Sequence, residues 1–171
     1  PSSAAFFTTL ALLNPNSYLK IRNVGLNPTR IGFYKILKKQ KAKIKFLNLR
    51  KKNNEISGDI IIKSSKIMPI KASRDYYVNS TDEYPILFVI AALIKGTSVF
   101  KGIKDLANKE SNRIKEMQKI LKQLNVDSLF AKDDIKIFGK GLFSAEKKRI
   151  LVPKLGDHRI CMSSFILSIL T

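Results

Sequence analysis

Three short strings hold the residues best suited to acid–base chemistry and anion binding. Asp82-Glu83-Tyr84-Pro85 offers a carboxylate at a helix start, and a carboxylate within hydrogen-bond reach of a hydroxyl can take its proton. Lys109-Glu110-Ser111-Asn112-Arg113 gathers two cations and an acid. The guanidinium fork matches a carboxylate or phosphate, while the lysine ammonium acts as a movable point charge. Asp157-His158-Arg159 contains the single histidine of the chain and an arginine at a third helix start, where backbone N–H groups also favour an anion. Each string has a plainer reading too. Asp82 with Pro85 makes an ordinary N-terminal cap, Glu110 and Arg113 pair at i, i+3, and a lone histidine without cysteine partners gives no zinc-site spacing.

The elements that must position these strings repeat along the chain. Apolar helical runs begin near Ser3, Asp82 and Asp157, at intervals of 79 (82 minus 3) and 75 (157 minus 82) residues, so repeat units of approximately 1–67, 68–140 and 141–171 are expected, the last one cut short. The first unit reads as a helix over 3–13, a strand over 18–24, a helix opened by Asn27-Pro28, and strands over 43–49 and 58–63 around a turn at 51–54. The second repeats this order with a helix over 82–95 closed by Gly96, a strand over 97–101, a helix over 110–124 closed by Asn125, and strands over 126–132 and 135–138. A strand over 150–153 and a helix from Asp157 begin the third. The expected class is α/β (α+β), built of βαβαββ units. If equivalent helices share one orientation, their positive N-terminal ends emerge together and form an anion-binding surface.

Composition sets the limits. A chain of 171 residues with 44% apolar content is long enough for one cored domain. Its formal charge of +19 would suit nucleic acid, acidic lipid or phosphorylated small molecules. Lysine dominates that charge, isoleucine and asparagine abound and tryptophan is absent, as AT-rich coding would produce on solvated faces. The single cysteine, Cys161, excludes an internal disulfide and suits a reducing cytoplasmic compartment. The apolar run 85–94 is too short to span a bilayer, and neither a membrane nor a nucleic-acid partner is expected. Residue 1 is Pro and residues 163–171 end without a helix stop signal, so the chain reads as a fragment.

The order of the three strings, extended as Asp82 to Leu87, Lys109 to Arg113 and Asp157 to Ile160, resembles the signatures of 5-enolpyruvylshikimate-3-phosphate synthases, as do Pro1-Ser2-Ser3-Ala4-Ala5-Phe6-Phe7 and Asn27-Pro28-Thr29-Arg30-Ile31-Gly32. The resemblance spans the whole chain. It implies one domain of the two-domain enolpyruvyl transferase fold, an inside-out α/β barrel, and transfer of the carboxyvinyl group of phosphoenolpyruvate to the 5-hydroxyl of shikimate 3-phosphate. Asp82 is then the proton acceptor and acceptor-substrate ligand, Glu110 the proton donor, and Lys109 a bridge between both substrates. Arg113 and Arg159 hold phosphoenolpyruvate, with His158 in support. No metal or organic cofactor is implied. The missing half supplies further ligands, so this segment alone is expected to be inactive and the complete enzyme to be a monomer. Four positions depart from the family pattern: Asn112 for Asp, Ala107 for Arg, Thr81 for Ile and Lys41 for a helix-ending Gly. A UDP-N-acetylglucosamine enolpyruvyl transferase is the near rival within the fold. A basic RNA-binding module is the rival from another class, although an aromatic RNA-recognition motif and a Gly-rich backbone clamp are lacking.

Overall fold

A computed structural model describes residues 1–141, 149–152 and 156–171. Helix α1 (Ser2–Leu13), strand β1 (Tyr18–Gly25), helix α2 (Gly32–Lys39) and strands β2 (Lys43–Lys52) and β3 (Glu55–Lys63) come first. The strands form an antiparallel sheet in the order β1-β3-β2. Strand β4 (Lys71–Ala72) leads to helix α3 (Tyr84–Leu93), strand β5 (Gly96–Phe100), helix α4 (Arg113–Gln123), and strands β6 (Ser128–Ala131) and β7 (Asp134–Gly139). The second sheet has the order β4-β5-β7-β6. Its last three strands repeat the connection of the first sheet, and β4 joins β5 in parallel at the edge. Helix α5 (His158–Leu170) follows.

Helix α3 shows why the helices lie inside. Every one of its ten residues is buried, as expected of a segment apolar on all sides. It packs on α1, α4, α5 and β7, and Tyr84, Phe88 and Phe100 meet edge to face with centroids 5.1–6.1 Å apart. Helices α2 and α4 carry an apolar stripe only, through Phe33, Ile36 and Leu37, and through Ile114, Met117, Ile120 and Leu121. Both therefore keep a basic outer face.

Turn chemistry fixes the strand registers. Asn53 and Asn54 form the β2–β3 turn with φ of 49° and 62°, the paired left-handed conformations that asparagine tolerates and that match strand twist. Lys41 also adopts a left-handed conformation, φ 69°, right after α2, where the family resemblance implies a helix-ending glycine. Lys41→Gly is expected to stabilise the fold by about 1 kcal/mol. An unchanged urea midpoint for that variant would show the position to be unstrained.

Three expected boundaries move. The second helix starts at Gly32 rather than at Asn27-Pro28, because Asn27 Oδ1 accepts from the Thr29 backbone N–H (3.1 Å) and hydroxyl (2.8 Å). This local turn competes with the helix. The helix expected over 110–124 begins at Arg113, and the one expected from Asp82 begins at Tyr84. Residues 150–152 form no strand. Leu151 exchanges two 2.8 Å hydrogen bonds with the Gln123 side-chain amide instead. Pro153, the end of that expected strand, lies outside the described residues.

Candidate active site

The starts of α3, α4 and α5 converge on one buried arginine. Arg113, the first residue of α4, has a fully buried side chain and meets three carboxylates. Its Nε lies 3.0 Å from Asp157 Oδ2, one terminal nitrogen lies 2.5 Å from Glu110 Oε2, and the other lies 3.5 Å from Asp82 Oδ1. Asp82 Oδ2 is held by Arg159 at 3.1 Å. A guanidinium buried this deeply requires such partners, since an unpaired charge there would cost several kcal/mol. One donor stays open: the nitrogen facing Asp82 has no hydrogen-bond partner.

Capping explains how the chain delivers these groups. Asn112 precedes α4, and its side chain accepts from the Lys115 N–H at 3.0 Å. Asp and Asn cap equally well, so the departure at this position keeps the cap. Asn112→Ala is expected to lower stability by about 1 kcal/mol, and equal thermal midpoints for the two proteins would argue against the cap. Asp157 caps α5 through the Arg159 and Ile160 N–H groups. It is wholly buried and also accepts from the Ser111 hydroxyl at 2.8 Å, so one carboxylate ties the start of α5 to the start of α4. Burial raises its pKa, but the hydrogen bonds from Arg113 and Ser111 outweigh burial and hold the carboxyl below its usual range.

Asp82 caps nothing. It lies in a single 3-10 turn, Thr81–Glu83. Pro85 would stand third in a helix capped by Asp82 and has no N–H for such a cap to hold. Freed from capping, the Asp82 side chain is 40% exposed while paired to two arginines. The turn is braced from behind, because the Ser80 hydroxyl donates to Tyr76 O (2.6 Å) and the Thr81 hydroxyl to Tyr77 O (2.7 Å).

Asp82, Glu110, Arg113 and Arg159 are thus brought into one network. Lys109 is exposed beside it, on the rim of a cavity of about 240 Å³ that Asp82 also lines. His158 points outward and is exposed. Sequence reasoning did not single out Ser111 or the linking role of Asp157 as site features. Nor did it single out Glu83, a 95%-buried neighbour of Asp82 whose pKa burial raises against the opposing pull of Ser2. The adjacent carboxylates Asp82 and Glu83 were the available signal, but their differing surroundings are a tertiary property. Among the described residues no group of three or more His, Cys, Asp or Glu side chains could hold a metal ion, and no helix is long and apolar enough to cross a membrane.

An α/β domain of repeated units, with acids and guanidinium groups meeting at the helix starts, defines the enolpyruvyl transferase class. The family profile described as EPSP synthase (3-phosphoshikimate 1-carboxyvinyltransferase) matches residues 1–171, and the chain belongs to that family. A 3-phosphoshikimate 1-carboxyvinyltransferase from Petrotoga mobilis is 38% identical over 162 residues, covering 95% of this chain and 37% of the relative. One from Zymomonas mobilis is 41% identical over 167 residues, covering 95% and 36%. A solved structure of EPSP synthase from Acinetobacter baumannii superposes with a TM-score of 0.92 at 35% identity, over 99% of this chain and 39% of that one. The chain therefore spans less than two-fifths of the length of these relatives.

Proposed function

We propose that the full-length protein transfers the carboxyvinyl group of phosphoenolpyruvate to the 5-hydroxyl of shikimate 3-phosphate, and that this segment provides about half of the active site. The observation that carries the reading is the junction of Asp82, Glu110 and Arg159 around Arg113. It joins an acid, a base and a cationic anchor within one network, as this chemistry requires.

Asp82 takes the proton of the attacking hydroxyl, whose oxygen bonds to C2 of phosphoenolpyruvate. Glu110 delivers a proton to the methylene carbon, giving a tetrahedral intermediate. Removal of a proton from the new methyl group then expels phosphate and restores the vinyl group. Arg113 and Arg159 bind the acidic groups of phosphoenolpyruvate, and the open donor on Arg113 supports that role. Glu110 is bound to Arg113 in this structure. A substrate anion taking that guanidinium edge would displace Glu110, whose side chain is 55% exposed, and leave it free to take up from solvent the proton that it delivers. Lys109 sits between the two substrates, with His158 beside the anion site. The remaining ligands come from the rest of the chain, so the isolated segment is inactive and the complete enzyme works as a monomer in the cytoplasm.

Phosphate release by the full-length chain, measured with phosphoenolpyruvate and either shikimate 3-phosphate or UDP-N-acetylglucosamine, tests the reading. Release with the first acceptor only is expected. Turnover of the second acceptor alone would overturn it, and family membership weighs against both that acceptor and an RNA-binding module.

A further inference from the structure

The cavity beside Asp82 contains a second cation that the mechanism leaves unused. We propose that Arg30 is a further substrate-binding residue, which grips an acidic group of the acceptor, shikimate 3-phosphate, in the cavity that Asp82 and Lys109 also line. The inference rests on the acceptor reading above.

The first support is charge. Arg113 and Arg159 are met by Asp82, Glu110 and Asp157, whereas Arg30 and Lys109 have no carboxylate within ion-pair distance among the described residues. Asp82 is already shared by two guanidinium groups, and burial disfavours the charged form of Glu83. The cavity is lined by Arg30, Lys109, Asp82 and Glu83, and with Asp82 paired to two arginines the two unpaired cations are the groups left to meet an anion. The second support is the supply of donors. The Ser80, Thr81 and Thr29 hydroxyls that line the same space already donate to Tyr76 O, Tyr77 O and Asn27 Oδ1, so an anion there must be gripped by the two cations.

The third support is rigidity. The loop that bears Arg30 is closed by the Asn27 side chain and by the Arg30 N–H bonded to Asn27 O at 2.9 Å. Gly32 N donates to Asn79 O at 3.0 Å. A Cβ on Gly32 would lie 2.8 Å from that same oxygen, so glycine lets the loop dock against the segment leading to Asp82. Such anchoring fixes the backbone that bears the exposed Arg30 side chain, so less affinity is lost to ordering the loop when the ligand arrives. The choice of substrate follows from the lining: Asp82 and Lys109 face this cavity, while Arg113 and Arg159 do not line it.

Arg30→Ala in the full-length chain should raise KM for shikimate 3-phosphate about tenfold or more, leave KM for phosphoenolpyruvate within about twofold, and be partly rescued by Arg30→Lys. An unchanged KM for shikimate 3-phosphate, or an equal rise for both substrates, would overturn the assignment. Should Arg30→Ala fail to fold, Arg30→Gln replaces it under the same criteria. If the wild-type chain turns over neither acceptor, the functional reading fails by itself. Arg30 is then judged by calorimetry with inorganic phosphate, and equal affinity in wild type and Arg30→Gln would remove it as an anion ligand.

Discussion

Asp82→Ala in the full-length chain is expected to lower turnover by about 100-fold or more, the scale of a lost acid–base group, with little change in thermal stability. The side chain is 40% exposed and caps no helix, so its removal opens no cavity. Its ion pairs with Arg113 and Arg159 will be lost, but Arg113 keeps Asp157 and Glu110. Asp82→Asn separates the two roles, because it keeps the shape and gives up proton acceptance. Turnover within a few-fold of wild type in either variant would remove Asp82 from the chemistry.

Arg113→Ala should behave differently. Deleting one partner of a buried ion pair costs about 3–5 kcal/mol, and here it strands Asp157, which is itself fully buried and holds the start of α5. The variant should lose both phosphoenolpyruvate binding and stability. Arg113→Lys keeps the charge but not the fork, so it should recover part of the stability with little of the binding. If Arg113→Ala melted with wild type, the network would have no structural role. Unaltered phosphoenolpyruvate affinity would remove Arg113 from the substrate site.

The same junction sets an acid limit. The Asp157 carboxyl is held below its usual range, so it binds a proton less readily folded than unfolded. Its stabilising effect is complete above the unfolded pKa of about 4 and fades as pH falls through the lower folded value. Asp157→Asn should flatten the acid limb of a stability–pH curve, and an identical limb in both proteins would place the acid-sensitive group elsewhere.

Much of this was legible in the sequence for local reasons. Apolar periodicity separates the buried helix α3 from the one-sided helix α4, because the pattern records which faces meet water. The Asn53-Asn54 turn follows from steric preferences within a few residues, whereas the left-handed Lys41 goes against them and was signalled only by the glycine of the family pattern. The spacing of the repeated helix starts placed Asp82, Glu110, Arg113 and Arg159 on one candidate surface. Local rules also misled: Asn27, Asp82 and Glu110 each look like helix starts, and none begins a helix. Asn27 turns back on Thr29, Asp82 is claimed by two arginines, and Asn112 takes the cap of α4.

The sequence by itself determined the repeated α/β plan, the residue types at the helix starts and the excess of positive charge, since each depends on composition or on contacts within a turn or two. Only the tertiary structure decided which charges are used up and which stay free. Arg113 reads as a helix-start anion ligand in the sequence and is wholly buried among carboxylates, while Arg30, which has no role assigned from the sequence, stands on the cavity wall without an ion-pair partner among the described residues. The energy of a charge depends on burial and on partners 44 or more residues away, and no local pattern encodes those distances.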